Sequence, residues 1–330
     1  MFNFLNPKTM HKQLTLLATM ALALVACNKS QTIVTETPGE ISFKAVTSVA
    51  TKADPEITGS TLPSKDYILY VQALKSGQST PSYYFSDVTE FKTTTEDTPV
   101  SSSAEYHADP KQYWPVGGAQ LDFMALALTE GDKTTLNPDF ATNVGRIGIA
   151  NWDVYTNQID LLFASKNNQS RAVSISLPFN HALSLLSFEA KATVANVIEI
   201  TSIELVDLIP GGSFELDNTK NTPEIKWTPS TVDVNKDAVK GTVSGALTTD
   251  YTHKGDNLLV IPQGKKNIKV TYTIGGNTYE YIYNNERTSW DAGKKYVYQL
   301  NFDMHEIIFT ESVATWDISS PAGNIEVPIQ

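Results

Sequence analysis

Side chains that commonly carry catalysis or bind metals are few in this chain, and they are scattered. The five histidines are His11, His107, His181, His253 and His305. No two of them stand at the spacing of a zinc site. The sequence also lacks the serine elbow of hydrolases, the glycine-rich phosphate loop, the HExxH helix and the EF-hand calcium loop. It therefore predicts a protein that is not an enzyme, and we expect no cofactor and no metal.

The net charge and the aromatic residues of the chain limit the classes of partner that it is expected to bind. The chain has 36 Asp and Glu against 25 Lys and Arg, a net charge of -11, which argues against nucleic acid or an anionic membrane surface as the main partner. Carboxylate pairs such as Glu130 and Asp132 could serve acid–base chemistry, but in so acidic a protein they are more simply solvated loop residues. The five tryptophans could line a glycan site, yet core or turn anchors are the simpler interpretation.

The single cysteine closes an apolar run near the N-terminus. Residues 14–26 have the length of the apolar part of a signal peptide, and the Leu-Val-Ala that precedes Cys27 is typical of a lipobox. We expect residues 1–26 to be a lipoprotein signal peptide, with Met1 and Met10 both open as its start. Cys27 is then the lipidation site, and several acyl chains make such an anchor stable. One cysteine also excludes a disulfide-stapled scaffold.

Beyond this leader, short runs of alternating apolar and polar residues are typical of β-strands. Ile41, Phe43 and Ala45 recur at every second position, which predicts a half-buried strand. Further strands are predicted over residues 67–73, 83–91, 121–127, 173–179, 183–190, 197–208, 268–274 and 279–283. The last two form a hairpin around Gly275-Gly276. Because no amphipathic helix of convincing length appears, the predicted fold class is all-β, with two β-sandwich domains in tandem.

Polar stretches suggest how the chain is divided. The run 165–170 is rich in Ser, Asn and Gln and is the best candidate for a domain boundary. We therefore predict a polar tether over residues 27–38, an N-terminal β-sandwich over 39–170 and a C-terminal β-sandwich over 171–330. A second break, over residues 51–63, contains Pro, Gly and charged residues and follows the first predicted strand.

Several short motifs carry a family resemblance. They are the lipobox cysteine, Phe43-Lys44-Ala45 followed by Ala50-Thr51-Lys52-Ala53, Tyr113-Trp114-Pro115, Leu177 to Leu183, Leu258 to Gln263, and Trp290 to Tyr296. In this order and spacing they resemble the fimbrillin family, the type V pilins of Gram-negative anaerobes, over nearly the whole chain. The resemblance implies transthyretin-like β-sandwiches, export as a lipoprotein, and assembly with other fimbrial subunits at the outer membrane and cell surface.

The resemblance also implies trimming by a trypsin-like protease in the loop after the first strand. Lys52 lies in the break over residues 51–63, the exposed kind of segment that proteases prefer, whereas Lys44 would lie inside a strand. We predict cleavage between Lys52 and Ala53. Family members often present arginine at the cut, so a lysine leaves the identity of the protease open.

Removal of the first strand would leave unpaired backbone groups and apolar pockets on its neighbours, a state that favours strand addition. The displaced side chains would be Ile41, Phe43 and Ala45, and the candidate donor residues in the C-terminal tail are Ile325, Val327 and Ile329. Three such side chains contribute about 5–9 kcal/mol when buried, while association costs about 4–15 kcal/mol. The inserted segment is therefore predicted to be longer, reaching back towards Ile318, or to be held by slow unfolding.

The predicted function is that of a structural fimbrial subunit that supports adhesion, with a host or bacterial surface receptor as a further candidate partner. Two alternatives stay open at this stage. One is a tip or anchor subunit of the same family that keeps its lipid on Cys27. The other is a surface lipoprotein that binds glycans through exposed aromatic rings.

Overall fold

The computed structural model describes residues 38–47, 67–85, 88–93, 105–136, 139–220, 222–231, 234–237, 243, 245–285, 289–303 and 306–316. Within these residues, strands dominate and only two short helical segments occur. The predicted all-β fold class is therefore confirmed. None of the helices in this part of the chain has the length and apolar character needed to cross a membrane.

The described elements alternate with short turns throughout. In the first part of the chain they are β1 (Phe43–Thr47), β2 (Tyr67–Lys75), β3 (Thr89–Thr93), β4 (Tyr106–Ala108), β5 (Leu121–Thr129), α1 (Glu130–Leu136), β6 (Asp139–Asn143), β7 (Arg146–Asp153), α2 (Val154–Asn157), β8 (Leu162–Gln169) and β9 (Ile175–His181). In the second part they are β10 (Ser184–Ala192), β11 (Ile198–Leu208), β12 (Gly211–Asp217), β13 (Glu224–Pro229), β14 (Val234–Asp237), β15 (Thr252–His253), β16 (Leu258–Val260), β17 (Ile268–Ile274), β18 (Asn277–Tyr283), β19 (Lys294–Phe302) and β20 (Ile307–Thr315).

These strands form four sheets. Seven strands make a sheet that closes on itself, in the order β1-β4-β3-β2-β5-β8-β9. The other sheets run β15-β10-β19-β20, with β16 also on β10, then β14-β11-β17-β18, and β13-β12-β7-β6. Among the described pairs, β1 with β9 and β10 with β19 are parallel, and the others are antiparallel. In the closed sheet β1 lies between β4 and β9.

The core has three layers. One fills the closed sheet, where Leu69 and Val71 of β2 lie. A second covers the opposite face of β2, where Ile68 and Tyr70 pack against β7 and β12. A third lies between the sheets of β10 and β11, as in a β-sandwich. Because β2 is covered on both faces, its sequence is a nearly continuous apolar run rather than an alternating one.

The strand predictions agree with the structure in most places. The hairpin of β17 and β18 is confirmed, with Val270 opposite Tyr281, and Gly275 and Gly276 adopt the positive φ angles of 57° and 83° that its two-residue turn requires. The predicted strand over residues 83–91 is wrong in its bounds. The structure has β3 at Thr89–Thr93 instead, and Tyr83 lies outside it, in an isolated bridge with Leu74.

The described chain from Pro38 onwards belongs to one compact unit. The sheet β13-β12-β7-β6 combines strands from before and after residue 170. β9 also lies beyond residue 170 but pairs with β1 and β8. These pairings do not show a boundary between two domains at residue 170. The division into two domains there therefore stays a prediction.

Candidate functional site

β1 pairs through its backbone mainly with one neighbouring strand, β9. It pairs with β9 in parallel over all five residues, from Phe43 opposite Ile175 to Thr47 opposite Phe179. Towards β4 it has a single paired position, Phe43 opposite Tyr106. Removal of β1 would therefore open the closed sheet and free the edge of β9.

The residues just before β1 add two main-chain bonds to the loop after β4. The N–H of Ile41 donates to the carbonyl of Gln112 at 2.8 Å, and the N–H of Trp114 donates to the carbonyl of Gly39 at 2.8 Å. The extended segment that crosses the closed sheet is thus longer than β1 itself, and it begins at Gly39.

The three apolar side chains predicted to be displaced lie together on the inner face. Ile41, Phe43 and Ala45 are 0%, 0% and 2% exposed and belong to the core of the closed sheet. The ring of Phe43 meets those of Phe91 and Phe123 edge to face, with centroids 4.8 and 5.1 Å away. Such contacts add to the burial energy. The space that β1 fills, here named the β1 groove, is therefore apolar and aromatic.

The outer face of β1 is polar. The hydroxyl of Ser42 donates to the Glu105 carboxylate at 3.2 Å and to the carbonyl of Val173 at 3.0 Å. Lys44 pairs with the same carboxylate at 3.6 Å. Both partners of this ion pair are about one-third exposed, so it contributes little to stability.

Glu40, Lys111 and His107 form a group of polar contacts beside the start of the β1 groove. We call this group the latch. The carboxylate of Glu40 accepts a hydrogen bond from Lys111 at 2.7 Å and lies 2.9 Å from Nδ1 of His107. Burial alone would raise the pKa of Glu40, but the hydrogen bonds from Lys111 and His107 outweigh it and hold the pKa below its usual range. The folded chain therefore favours the charged form of this carboxyl.

A pocket of about 400 Å³ lies at the other end of β9. Its walls include Phe163, Phe179, Asn180, His181, Ile225 and Trp316. We call it the end pocket. Because Thr47 is opposite Phe179, the pocket begins where the β1 groove ends.

His181 supports one wall of the end pocket. Its ring stacks on Trp316 with the centroids 3.5 Å apart and the planes 4° from parallel, and its Nδ1 lies 2.7 Å from Asp160. His181 is 3% exposed, and its Nε2 is buried without a hydrogen-bond partner. His181 is thus a buried residue that packs on Trp316, the last residue that the structure describes.

Sequence comparison assigns the family. A family model described as fimbrillin-like matches residues 51–316, which is most of the chain. The chain belongs to the fimbrillin-like family. The resemblance inferred from the short motifs is therefore confirmed. No curated protein sequence matches the chain.

Solved structures share the fold of this fimbrillin-like chain. A fimbrial protein from Bacteroides vulgatus has a TM-score of 0.54 at 15% identity, over 84% of this chain and 99% of its own. A candidate cell adhesion protein from Bacteroides uniformis has a TM-score of 0.52 at 14% identity, over 84% of this chain and 98% of its own. At such low identity these likenesses show the common fold alone.

The fold brings only part of the predicted site together. Ile41, Phe43 and Ala45 share one face, as predicted. The other predicted residues, which are Cys27, Lys52, Ala53, Ile325, Val327 and Ile329, lie outside the described residues. Lipidation, cleavage and donor insertion therefore stay predictions. In the part of the chain that the structure describes, no three His, Cys, Asp or Glu side chains are grouped as metal ligands.

Sequence reasoning missed the latch and the end pocket. Glu40 and His107 are 67 positions apart, and neither belongs to a motif. Trp316 and His181 are further apart still, and aromatic residues are common in cores. No signal in the sequence pairs these residues, because Glu40 meets His107 across the closed sheet, and Trp316, which follows β20 of another sheet, meets His181 at the end of β9.

Proposed function

We propose that this fimbrillin-like chain is a structural subunit of a surface fimbria that supports adhesion. It is exported as a lipoprotein on Cys27, trimmed between Lys52 and Ala53, and joined to the next subunit by donor-strand exchange. The observation that carries the proposal is the setting of β1, a short strand between β4 and β9 of a closed sheet, which together with Ile41 just before it buries three apolar side chains. The family and the fimbrial structures of the same fold support this role.

Trimming would convert a closed sheet into an acceptor. Loss of residues up to Lys52 would free the main-chain groups of β9 and uncover the positions of Ile41, Phe43 and Ala45. A strand edge of this kind, with apolar pockets at alternate positions, favours addition of an extended segment. In the C-terminal tail, Ile325, Val327 and Ile329 recur with the same two-residue spacing. The tail of one subunit therefore suits the β1 groove of another.

The partners under this proposal are other fimbrial subunits, and the location is the outer membrane and cell surface. The lipid on Cys27 would hold the uncut chain at the membrane, and cleavage after Lys52 would release it for assembly. No step in this scheme requires catalysis by the chain itself.

Deletion of residues 324–330 tests the exchange. In trimmed protein the deletion should leave only monomers on a gel of unboiled sample, whereas the wild type should form a ladder of polymers. A matched control, with Ile325→Val and Ile329→Val, keeps the apolar alternation and should still form the ladder. Ladders that persist after the deletion would overturn the proposal.

Mass spectrometry of the mature N-terminus from intact cells separates a shaft subunit from an anchor. A chain that begins at Ala53 agrees with trimming and polymerisation. A chain that begins at lipidated Cys27 would contradict the proposed cleavage and favour a tip or anchor subunit.

A further inference from the structure

We propose that the open edge of β20 is a second interface of this chain, at which it pairs antiparallel with β20 of a second copy about a two-fold axis. The strand lies outside the β1 groove and precedes the C-terminal tail, so the pairing uses neither the acceptor nor the donor of strand exchange. The pairing itself does not depend on the proposed function. In a fimbria it would be a lateral contact that joins filaments side by side.

β20 is a long and regular edge strand. Its nine residues pair with β19 at every position, from Ile307 opposite Phe302 to Thr315 opposite Lys294, without a shift of register. Among the described strands, β19 is its only neighbour in the sheet. The side of β20 that faces away from β19 is therefore a straight strand edge.

The main-chain groups of alternate β20 residues point to this edge. Hydrogen bonds lie just beyond both ends of the ladder with β19. The N–H of Asp303 donates to the carbonyl of Glu306, and the N–H of Trp316 donates to the carbonyl of Gly293, both at 2.9 Å. Because bonded and non-bonded pairs alternate along antiparallel strands, the even-numbered residues of β20 bond to β19. The odd-numbered residues therefore direct their N–H and carbonyl groups to the open edge.

β20 lacks the features that usually protect an edge strand, which are outward charges, proline, bulges and short length. The outer face of the strand consists of four exposed, uncharged residues. They are Ile308, Thr310, Ser312 and Ala314. The one charged residue of β20, Glu311, is on the inner face in an ion pair with Lys265, and the two side chains are 3% and 2% exposed. No charge on the outer face of β20 therefore opposes the approach of another strand.

The other edges of the described open sheets carry such protection. β6, β14, β15 and β16 have five residues or fewer. β13 exposes Glu224 and Lys226 and ends at Pro229, and β18 exposes Glu280. In a chain with a net charge of -11, a nine-residue edge without an outward charge is therefore a specific feature of β20.

The residue pattern of β20 fits a second copy of the same strand. When two antiparallel copies are centred on Glu311, all nine residues are paired, and odd residues face odd residues, as the main-chain bonding requires. Large side chains then lie opposite smaller ones, and hydroxyls lie opposite hydroxyls. The pairs are Ile308 with Ala314, Phe309 with Val313, and Thr310 with Ser312. Aromatic–β-branched and Thr–Ser pairs of this kind stabilise antiparallel strands, and Ile308 and Val313, which are 42% and 45% exposed, would be covered.

The centre of this pairing brings two Glu311 residues together, and like charges directly opposite each other are unfavourable. Each copy, however, supplies Lys265 as the partner of its own Glu311, and Lys265 also lies 4.6 Å from the ring centre of Tyr296. The two-fold axis therefore joins two compensated ion pairs rather than two bare carboxylates.

The interface should be weak between two single subunits, because one pair of strands buries less than the about 800 Å² per partner of a standard stable complex. Repeated along two filaments, the same contact becomes strong, since each further pair forms at a high effective concentration. We therefore expect single chains to dimerise only at high concentration and filaments to associate readily.

Thr310→Lys tests the interface in the uncut mature chain with Cys27→Ser, where β1 fills its groove. Sedimentation equilibrium should show a reversible monomer–dimer equilibrium for this chain, and Thr310→Lys should weaken it about tenfold or more, because an outward lysine protects a strand edge. The control is Thr228→Lys, which adds the same charge at an exposed position of β13 and should not change dimerisation. A parent chain that stays monomeric, or equal dimerisation with Thr310→Lys, would overturn the inference.

Crosslinking tests the register and does not depend on the fold of the lysine variant. Cys27 is the only cysteine, so the Cys27→Ser chain contains only engineered thiols. One tagged copy carries Thr310→Cys and a differently tagged copy carries Ser312→Cys, which the pairing places directly opposite each other, within the reach of a disulfide. We expect a disulfide between the two tags, and far less when Thr228→Cys replaces Ser312→Cys. Equal yields with both partners would contradict the proposed pairing.

Deletion of residues 317–330 separates a second copy from the tail of the same chain as the occupant of the edge. If the chain dimerises only after this deletion, its own tail covers β20 and the inference is wrong for the intact protein.

Electron microscopy of trimmed subunits separates this inference from the proposed function. Wild-type filaments should lie side by side, whereas Thr310→Lys should form single filaments. Bundles that persist with Thr310→Lys would exclude the lateral role of β20. If trimmed wild-type subunits form no filaments at all, the proposed function fails, while the dimer of the uncut chain still stands.

Discussion

At the scale of single residues, the charge of Glu40 makes the stability of the contact next to β1 depend on pH. Hydrogen bonds from Lys111 and His107 lower its pKa against the opposing effect of burial. A carboxyl with a lowered folded-state pKa stabilises the fold above its unfolded-state pKa, and this stability is lost as the pH falls through the lowered value. The uncut chain therefore has an acid-sensitive contact at the very segment that assembly would remove.

Glu40→Gln tests this contact. In the uncut chain we expect a loss of about 1 kcal/mol in the free energy of unfolding at pH 7, since the pair is partly exposed. The gap to the wild type should be full above about pH 5 and should close as the pH falls below the usual carboxyl value of about 4.3. Denaturant titrations at several pH values measure it. Glu90→Gln is the control: in the wild type, burial raises the pKa of Glu90 but the hydrogen bond from Lys133 outweighs it and lowers the pKa, and only the effect of this substitution should survive trimming.

Phe43 is the largest inner side chain of β1, and Phe43→Ala separates stability from assembly. In the uncut chain the loss of a fully buried ring should lower the free energy of unfolding by about 3–5 kcal/mol. In a chain cut after Lys52, the weakened strand should leave sooner and polymers should form faster. Lys44→Ala, on the outer face of the same strand, should change both quantities little. Slower assembly by Phe43→Ala would contradict the expendability of β1.

Alternation along the sequence was enough to predict the shared face of Ile41, Phe43 and Ala45, because a strand has a period of two whatever it packs against. The partners of that face were not predictable. Phe91 and Phe123 reach Phe43 through a sheet that closes on itself, and no local pattern encodes such a closure. The same holds for Glu40 and His107, because Glu40 precedes β1, His107 lies on β4, and the two meet only across neighbouring strands of the closed sheet.

At the scale of elements, β9 should report the presence of β1. The N–H of Ile175 donates to the carbonyl of Ser42 at 2.9 Å, and the paired positions continue to Phe179. After trimming, amide hydrogen exchange over residues 175–179 should become faster, because these groups lose their partners. Assembly should slow it again. The hairpin of β17 and β18, far from this edge in the sheet order, should exchange at the same rate in all three states.

A rate over residues 175–179 that stayed fast in polymers would show that another surface joins the subunits. Slow exchange that persisted in trimmed monomers would show instead that a segment of the same chain had replaced β1. The experiment thus decides between exchange within one chain and exchange between chains.

The element scale also shows where sequence patterns fail. β17 and β18 were predicted well because their turn glycines and alternating residues agree. The strand predicted over residues 83–91 was not, since the buried Phe85 and the partly buried Tyr83 lie in a loop before β3 that packs on the sheet. A run of apolar residues alone is therefore a weaker signal for a strand than an alternating run that is followed by turn residues such as glycine.

At the scale of the whole molecule, the proposed contact is heterologous, because the tail of each subunit enters the groove of the next. Such a contact does not close and produces a filament of undefined length. A trimmed subunit without residues 324–330 still accepts a tail but donates none. It should therefore end a growing filament, and the mean filament length should fall in inverse proportion to its fraction in the mixture.

An uncut subunit should end a filament at the opposite end, and we call both of these chain-ending subunits stoppers. With Lys52→Gln the chain should keep β1 in its groove, donate its tail and accept none, so it should cap the opposite end. Electron microscopy of mixtures with wild-type subunits measures the lengths, and each stopper should be found once per filament. A subunit that carries both changes can neither donate nor accept, and it should leave the lengths unchanged. If both single stoppers had no effect on length, the contact between subunits would have to be symmetric or lie elsewhere, and the head-to-tail filament would be excluded.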